Sequence, residues 1–343
     1  MKNTNFFRWL APLLLGSASL LSLPAHAGKT LDTIKSRGQL VCGVNVALAG
    51  FSAADSNGNW SGMDVDYCKA LAAAILGDAS KVKWVPLNAQ QRFTALQSGE
   101  VDILSRNTTW SLTRDASLGA NFIGVIYYDG QGFMVKKKLN VTSAKQLNNA
   151  TVCVQSGTTT EKNLTDFARV NNIKIKPLVF EKNEAATGAY HSDRCQAYTT
   201  DASGLAAERS ASKDPQEHII LPEIISKEPL GPLVRRGDDE FFAISKWVLF
   251  ALIEGEEYGL TQANLEEKKS STDPNIQRIL GTSEDMGKLL GLDKEWAYRA
   301  IKAVGNYGEV FERNVGSGSP LKLERGLNNL WNKGGILYAP PIR

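Results

Sequence analysis

Residues 103–115 read ILSRNTTWSLTRD, an apolar run that ends in hydroxyls, an amide and two arginines. Side chains of these types at the end of a strand can hold an anion, because a guanidinium pairs two-pronged with a carboxylate and hydroxyls add further donors. A second candidate is SGTTTE at 156–161, where Thr158 followed by Glu161 fits a capping box. The unpaired N–H groups of such a first helical turn also attract an anion. A third is Asp201, at the end of AYTTD, where a carboxylate can receive an ammonium group through charge-assisted hydrogen bonds. Each has a plainer reading: Arg114 as a surface arginine, the box as a helix cap alone, and Asp201 as the N-cap of a helix over 202–210.

The elements around these residues repeat one design. QLVCGVNVAL (39–48), KVKWVPL (81–87) and VDILS (101–105) read as strands, separated by helices over GMDVDYCKALAAAILG (62–77) and QRFTALQSG (91–99). After Gly130 and Gly132 the order restarts: strand 151–156, helix 158–170, strand 174–180, helix 183–195, strand 197–201. Strands alternating with helices imply a parallel sheet, so the chain reads as two α/β lobes. Ligands of open α/β sheets bind beyond the carboxyl ends of the strands, which points to Ser105–Arg114 in one lobe and Ser156–Thr160 in the other. An arginine with hydroxyls on one lobe, facing a helix N-terminus and an acid on the other, complements a zwitterion when the lobes close. From Asp239 onward the pattern turns helical, with helices expected over 240–259, 294–316 and 323–331.

The N-terminus carries Lys2 and Arg8, an apolar run from Leu10 to Leu23 and then PAHA before Gly28, the pattern of a secretory signal peptide cleaved after Ala27. That run is shorter than the roughly 20 residues a membrane span requires. Lys2 and Arg8 lie in this segment and no acid does, so 39 basic and 36 acidic residues become 37 and 36. The balance and its dispersal exclude nucleic acid as the expected partner; the run Lys136-Lys137-Lys138 reads as a solvated strand end. Four cysteines in an exported chain favour disulfides. Cys42 and Cys153 lie in the first strand of each unit, and Cys68 and Cys195 sit in later helices of the same units. Pairing within each lobe is the simplest connectivity, with four buried free thiols as the alternative.

GMDVDYCKAL (62–71), DILSRNTTWSLTR (102–114), QSGTTTE (155–161) and AYTTDASGL (197–205) stand in the order and spacing of a known family. The chain resembles the periplasmic solute-binding proteins of polar amino-acid ABC transporters, in particular the general L-amino-acid binders of that group. The resemblance implies a two-lobed periplasmic binding protein fold of type II, with the hinge crossed twice near 122–133 and 222–236 and extra C-terminal helices. Lobe 1 is expected to hold 28–126 and 236–343, and lobe 2 to hold 127–235. It also implies that Thr158, Thr159 and Arg114 bind a ligand α-carboxylate, that Asn107 and Thr108 touch its charged ends, that Asp201 binds the α-ammonium, and that Phe51 forms an aromatic wall. Leu48 stands where several members carry an aromatic, Arg106 where they carry a small residue, and Met63 where they carry Phe, Tyr or Leu.

The resulting expectation is a periplasmic monomer without metal or cofactor that captures L-amino acids broadly and presents them to a membrane permease. A binder specific for one amino acid, a receptor module and a dehydratase-like enzyme on the same frame are the alternatives. Against the enzyme, only His191 and His218 survive processing, no G-x-S-x-G, H-E-x-x-H or Walker A signature occurs, and Asp201 is the one obvious acid in the cleft.

Overall fold

The computed structural model describes residues 30–343. The segment read as a signal peptide and its cleavage site after Ala27 lie outside the described residues. Among the described residues, no helix is long and apolar enough to cross a membrane.

Two five-stranded sheets repeat one plan. In the first, the strand order runs Val82–Leu87, Leu40–Asn45, Ile103–Leu104, Leu233–Arg235, Ala120–Phe122. In the second it runs Lys176–Phe180, Thr151–Gln155, Ala197–Asp201, Gln131–Lys136, His218–Ile220. The first three strands of each are parallel, as strands alternating with helices require. The fourth runs antiparallel in both sheets. It enters directly from the connection between the lobes and needs no crossover helix. Leu233–Arg235, expected in lobe 2, is this fourth strand of the first sheet, so the return into lobe 1 comes earlier than residue 236. The two connections between sheets pair as a short antiparallel ladder, Tyr127–Asp129 with Glu228–Leu230.

The helix Met63–Leu76 is buried on nearly every side, which explains its all-round apolar sequence. The helix Trp296–Val304 packs against it, with Trp296, Ala300 and Ile301 fully covered. Arg299 donates to the carbonyls of Ala73 and Ala74 at 3.3 and 3.2 Å, joining the Gly77 N–H on the first of them in the last turn of that helix.

Two expected helices take other forms. The stretch 294–316 breaks into Trp296–Val304 and Tyr307–Asn314, because Gly305 takes φ 84° and Asn306 with Glu309 closes a capping box that starts a new helix. The stretch 323–331 holds only short 3-10 turns, Gly326–Asn328 and Trp331–Lys333; Gly326 at φ 47° and the asparagines at 328 and 329 disfavour a regular helix.

Disulfides join Cys42 to Cys68 in the first lobe and Cys153 to Cys195 in the second, and no free cysteine remains among the described residues.

Candidate functional site

The loop after Ile103–Leu104 is fixed from two directions. Asp64, at the start of the helix Met63–Leu76, accepts from Ser105 Oγ at 3.0 Å and from the Asn107 N–H at 2.9 Å. These bonds hold Asn107 in the left-handed region at φ 31°. Burial raises the Asp64 carboxyl to about 6, against the pull of those donors and of the Arg106 charge. On the far side, the Trp110 N–H donates to the Pro229 carbonyl at 2.8 Å and the Gly231 N–H to that of Thr108 at 2.9 Å, stitching the loop to the ladder strand Glu228–Leu230.

In the second lobe, Thr158 caps the helix Thr159–Val170 by accepting the Glu161 N–H at 3.2 Å. Glu161 turns back to Gly157, accepting its N–H at 3.1 Å, so the expected box closes one residue early. The lobes touch along this edge. Gln90 Nε2 donates to Ser156 Oγ at 3.2 Å, Asn88 Nδ2 to Glu181 Oε1 at 3.3 Å, and Gly157 sits so close to Gln90 that a Cβ there would lie 2.9 Å from its Cγ.

Between the lobes lies a cavity walled by Leu48, Arg92, Arg106, Asn107 and Thr109 from the first and Thr158, Thr159, Thr160, Asp201 and Glu208 from the second. Of the residues singled out in the sequence, Leu48, Arg106, Asn107, Thr158, Thr159 and Asp201 line it, and Phe51, Thr108 and Arg114 do not. Phe51 is fully buried behind the wall, its ring edge-on to Tyr127 at 5.3 Å. Thr108 is also buried and donates to the Arg106 carbonyl at 2.9 Å. Arg114 lies behind Thr109, donating to its carbonyl at 3.0 Å, with its guanidinium against the Phe93 ring.

Two charged residues of this cavity were missed. Arg92 is 3 % exposed, its Nε has no partner, and its remaining bonds, to Thr108 Oγ1 and the Gly157 carbonyl, are long at 3.4 and 3.5 Å. Burial lowers its pKa, and Arg106 and Arg114 lower it further. A buried, under-partnered cation of this kind attracts an anion. Its signal was its place on the buried face of its helix, in step with Ala95 and Leu96. Glu208 corrects the reading of Asp201 as the one acid in the cleft. It stands with Asp201 and Gly204 at helical spacing and accepts from Asn183 Nδ2 at 3.0 Å.

Asp201 occupies the N-cap position of the helix Ala202–Ala211, yet its side chain makes no capping bond. Burial raises its pKa well above the usual carboxylate range, and the nearby Asp129 and Glu228 charges raise it further; Arg114 and Arg92 oppose them. Glu228, 1 % exposed, accepts from Thr109 Oγ1 at 2.6 Å and Thr159 Oγ1 at 2.8 Å through one oxygen. Its other oxygen accepts from Asn163 Nδ2 at 2.7 Å and Ser226 Oγ at 2.6 Å. A ladder carboxylate thus grips a cavity hydroxyl from each lobe. The site therefore offers an unsatisfied cation and an unsatisfied carboxylate across one small cavity, complementary to a molecule bearing a carboxylate and an ammonium close together.

Residues 40–264 match the family described as bacterial extracellular solute-binding proteins, family 3. The chain is 58% identical over 330 residues, 95% of its length and 97% of the relative's, to the general L-amino acid-binding periplasmic protein AapJ of Rhizobium johnstonii. It is 53% identical over the full length of both chains to the glutamate/glutamine/aspartate/asparagine-binding protein BztA of Rhodobacter capsulatus. A solved ABC transporter periplasmic binding protein from Brucella ovis with glutathione bound superposes with a TM-score of 0.91 at 56% identity, covering 93% of this chain and 100% of that one.

Proposed function

This chain belongs to the bacterial extracellular solute-binding proteins, family 3, and from that premise we propose that it is the periplasmic binding component of an ABC importer for L-amino acids. The observation that carries the reading is the pairing of Arg92 and Asp201, both buried and neither matched by a full set of partners, on opposite walls of one cavity.

In this reading the α-carboxylate meets Arg92, the free N–H groups that open the helix Thr159–Val170 and, behind them, Arg114. The α-ammonium meets Asp201. Asn107 and Thr108 shape the loop beneath, and Phe51 backs the wall beside Leu48. The lobes hinge about the ladder Tyr127–Asp129 with Glu228–Leu230, and ligand favours closure through its contacts to both walls. The closed form is what a membrane permease recognises. Each cleft is complete within one chain, which supports a monomer.

Specificity is broad in this reading. The head-group residues address what every amino acid shares, whereas the remaining wall combines Leu48, Arg106 and Glu208, an apolar surface, a cation and an acid. No single side chain satisfies all three, and a narrow site needs polar groups matched to one ligand. The glutathione of the Brucella ovis structure carries a free α-ammonium and α-carboxylate on its glutamyl residue, which supports recognition of that head. The ligand leaves unchanged, as befits a carrier.

Mass spectrometry of ligand released from freshly purified protein, followed by calorimetric titration with glutamate, glutamine, leucine, alanine and histidine, tests the proposal. Heat from several L-amino acids and recovery of intact ligand are expected. Heat from one alone overturns the breadth, and conversion of the added amino acid overturns the carrier reading.

A further inference from the structure

The charges that wall the cavity are divided by lobe: Arg92 and Arg106 come from the first, Asp201 and Glu208 from the second. A zwitterionic head takes Arg92 and Asp201 and leaves Glu208 without a counterion. We infer that Glu208 is a specificity-determining residue that receives the terminal ammonium of diamino acids such as lysine and ornithine. This inference rests on the amino-acid reading above and adds a ligand class to it.

Glu208 is held in place by its own lobe. The Tyr198 hydroxyl donates to Asn183 Oδ1 at 2.6 Å, which leaves the Asn183 amide nitrogen to donate to Glu208 Oε1 at 3.0 Å. The second Glu208 oxygen accepts no hydrogen bond among the described residues. Burial raises the Glu208 pKa, the Asn183 bond opposes that rise and the Glu184 charge adds to it, so the ionised carboxylate lacks a nearby cation. Arg106, on the opposite wall, donates Nε to the Leu87 carbonyl at 2.9 Å and an outer nitrogen to Asn107 Oδ1 at 3.4 Å, and the Asp64 charge supports its ionised form. An incoming ammonium therefore displaces no bond of Glu208.

The placement of Glu208 also sets the length of the ligand. Asp201, Gly204 and Glu208 follow one another along the helix Ala202–Ala211, and the seven residues from Asp201 to Glu208 correspond to about 10 Å of axis. Helical side chains lean toward the N-terminus, which brings the Glu208 carboxylate back toward Asp201. Gly204 stands between them with no side chain, so an extended chain can lie along this track. A short methylene chain with an ammonium at each end matches a track with a carboxylate at each end. Norleucine, which is lysine without its terminal nitrogen, sets a methyl group against the Glu208 charge instead.

Calorimetric titration of the mature protein with lysine, ornithine, norleucine and Nε-acetyl-lysine tests the inference. Lysine and ornithine should bind about tenfold or more tighter than norleucine, and acetylation, which removes the charge and keeps the chain, should lose that advantage. Glu208→Gln keeps an acceptor for Asn183 and removes the charge, and in it the ratio of lysine to norleucine affinity should fall to within about twofold of one. Lysine binding no tighter than norleucine overturns the inference, as does a lysine preference that survives Glu208→Gln. Should that variant not fold, the ligand series on the unaltered protein decides alone. Failure of all four ligands and of glutamate and leucine to bind overturns the amino-acid proposal instead.

Discussion

The Asp129 carboxylate accepts the Ser203 N–H at 3.3 Å and the Ser203 hydroxyl, and so caps the helix whose N-cap position is held by Asp201. A ladder residue does the capping, and the residue expected to cap is left facing the cavity.

That exchange predicts opposite effects for two similar changes. Asp129→Ala removes a cap and should lower stability by about 1–2 kcal/mol, read from denaturant unfolding of the unliganded protein. Asp201→Ala removes no capping bond, so stability should hold while ligand affinity falls by about 2–5 kcal/mol. Equal loss of stability in both would show that Asp201 caps after all.

Arg92 and Arg114 divide the anion side. Arg92→Met should cost about 2–5 kcal/mol in binding because the ligand carboxylate loses a buried partner. It should not lower unliganded stability, since an under-partnered buried cation is removed. Arg114→Met should weaken binding less, acting through Thr109, to whose carbonyl it donates. Calorimetry giving native affinity for Arg92→Met sinks the assignment of the anion wall.

The architecture was legible because its signals are local. Strand–helix alternation, the two glycines at 130 and 132 and the cysteine positions gave the repeated lobes and the pairing of Cys42 with Cys68 and Cys153 with Cys195. Residues made important by distant partners were not legible. Glu228 grips Thr109 and Thr159 across separations of 119 and 69 residues, and nothing beside it in KEPLG announces that role. Arg92 sits in an unremarkable helix, and only the other lobe turns it into a cavity wall. The break at Gly305-Asn306 was readable in principle from the box formed by Asn306 and Glu309, but the apolar period on either side outweighed it.

Residues 265–343 lie beyond the family match yet complete the first lobe's core. Trp296→Ala should cost about 3–5 kcal/mol, because a fully covered large side chain is lost against the helix Met63–Leu76. A shift in the thermal midpoint with unchanged affinity per folded molecule is the expected result. A midpoint equal to that of the unaltered protein would mean the extension is dispensable for the core.

Reduction of the disulfides should destabilise each lobe without separating chains or abolishing closure. They span 26 and 42 residues, and constraint of the unfolded chain by loops of that size is worth about 3–4 kcal/mol each. Thermal unfolding with and without reductant measures the loss. Peptide mapping that joined Cys42 to Cys153 would contradict the lobe-by-lobe pairing.

Affinity should depend on pH through Asp201. In the unliganded cleft its pKa is raised by burial and by the Asp129 and Glu228 charges, with Arg114 and Arg92 opposing. An α-ammonium binds only the ionised form, so binding must drive off whatever proton Asp201 holds. Affinity should therefore climb as pH rises from the ordinary carboxylate range through the raised value, and level off above it. Stability of the unliganded protein has the opposite sign. A carboxyl whose folded pKa exceeds its unfolded one contributes stability that is fully present below the unfolded value and lost as pH rises through the folded one. Asp64, raised to about 6, adds to the same trend. Ligand should reverse much of Asp201's share, so the gain in melting temperature on adding glutamate should widen with pH across this window. Titrations in two buffers of different ionisation enthalpy should reveal proton release on binding, and Asp201→Asn should abolish it. Proton release that persists in Asp201→Asn would move the titrating group elsewhere in the cleft.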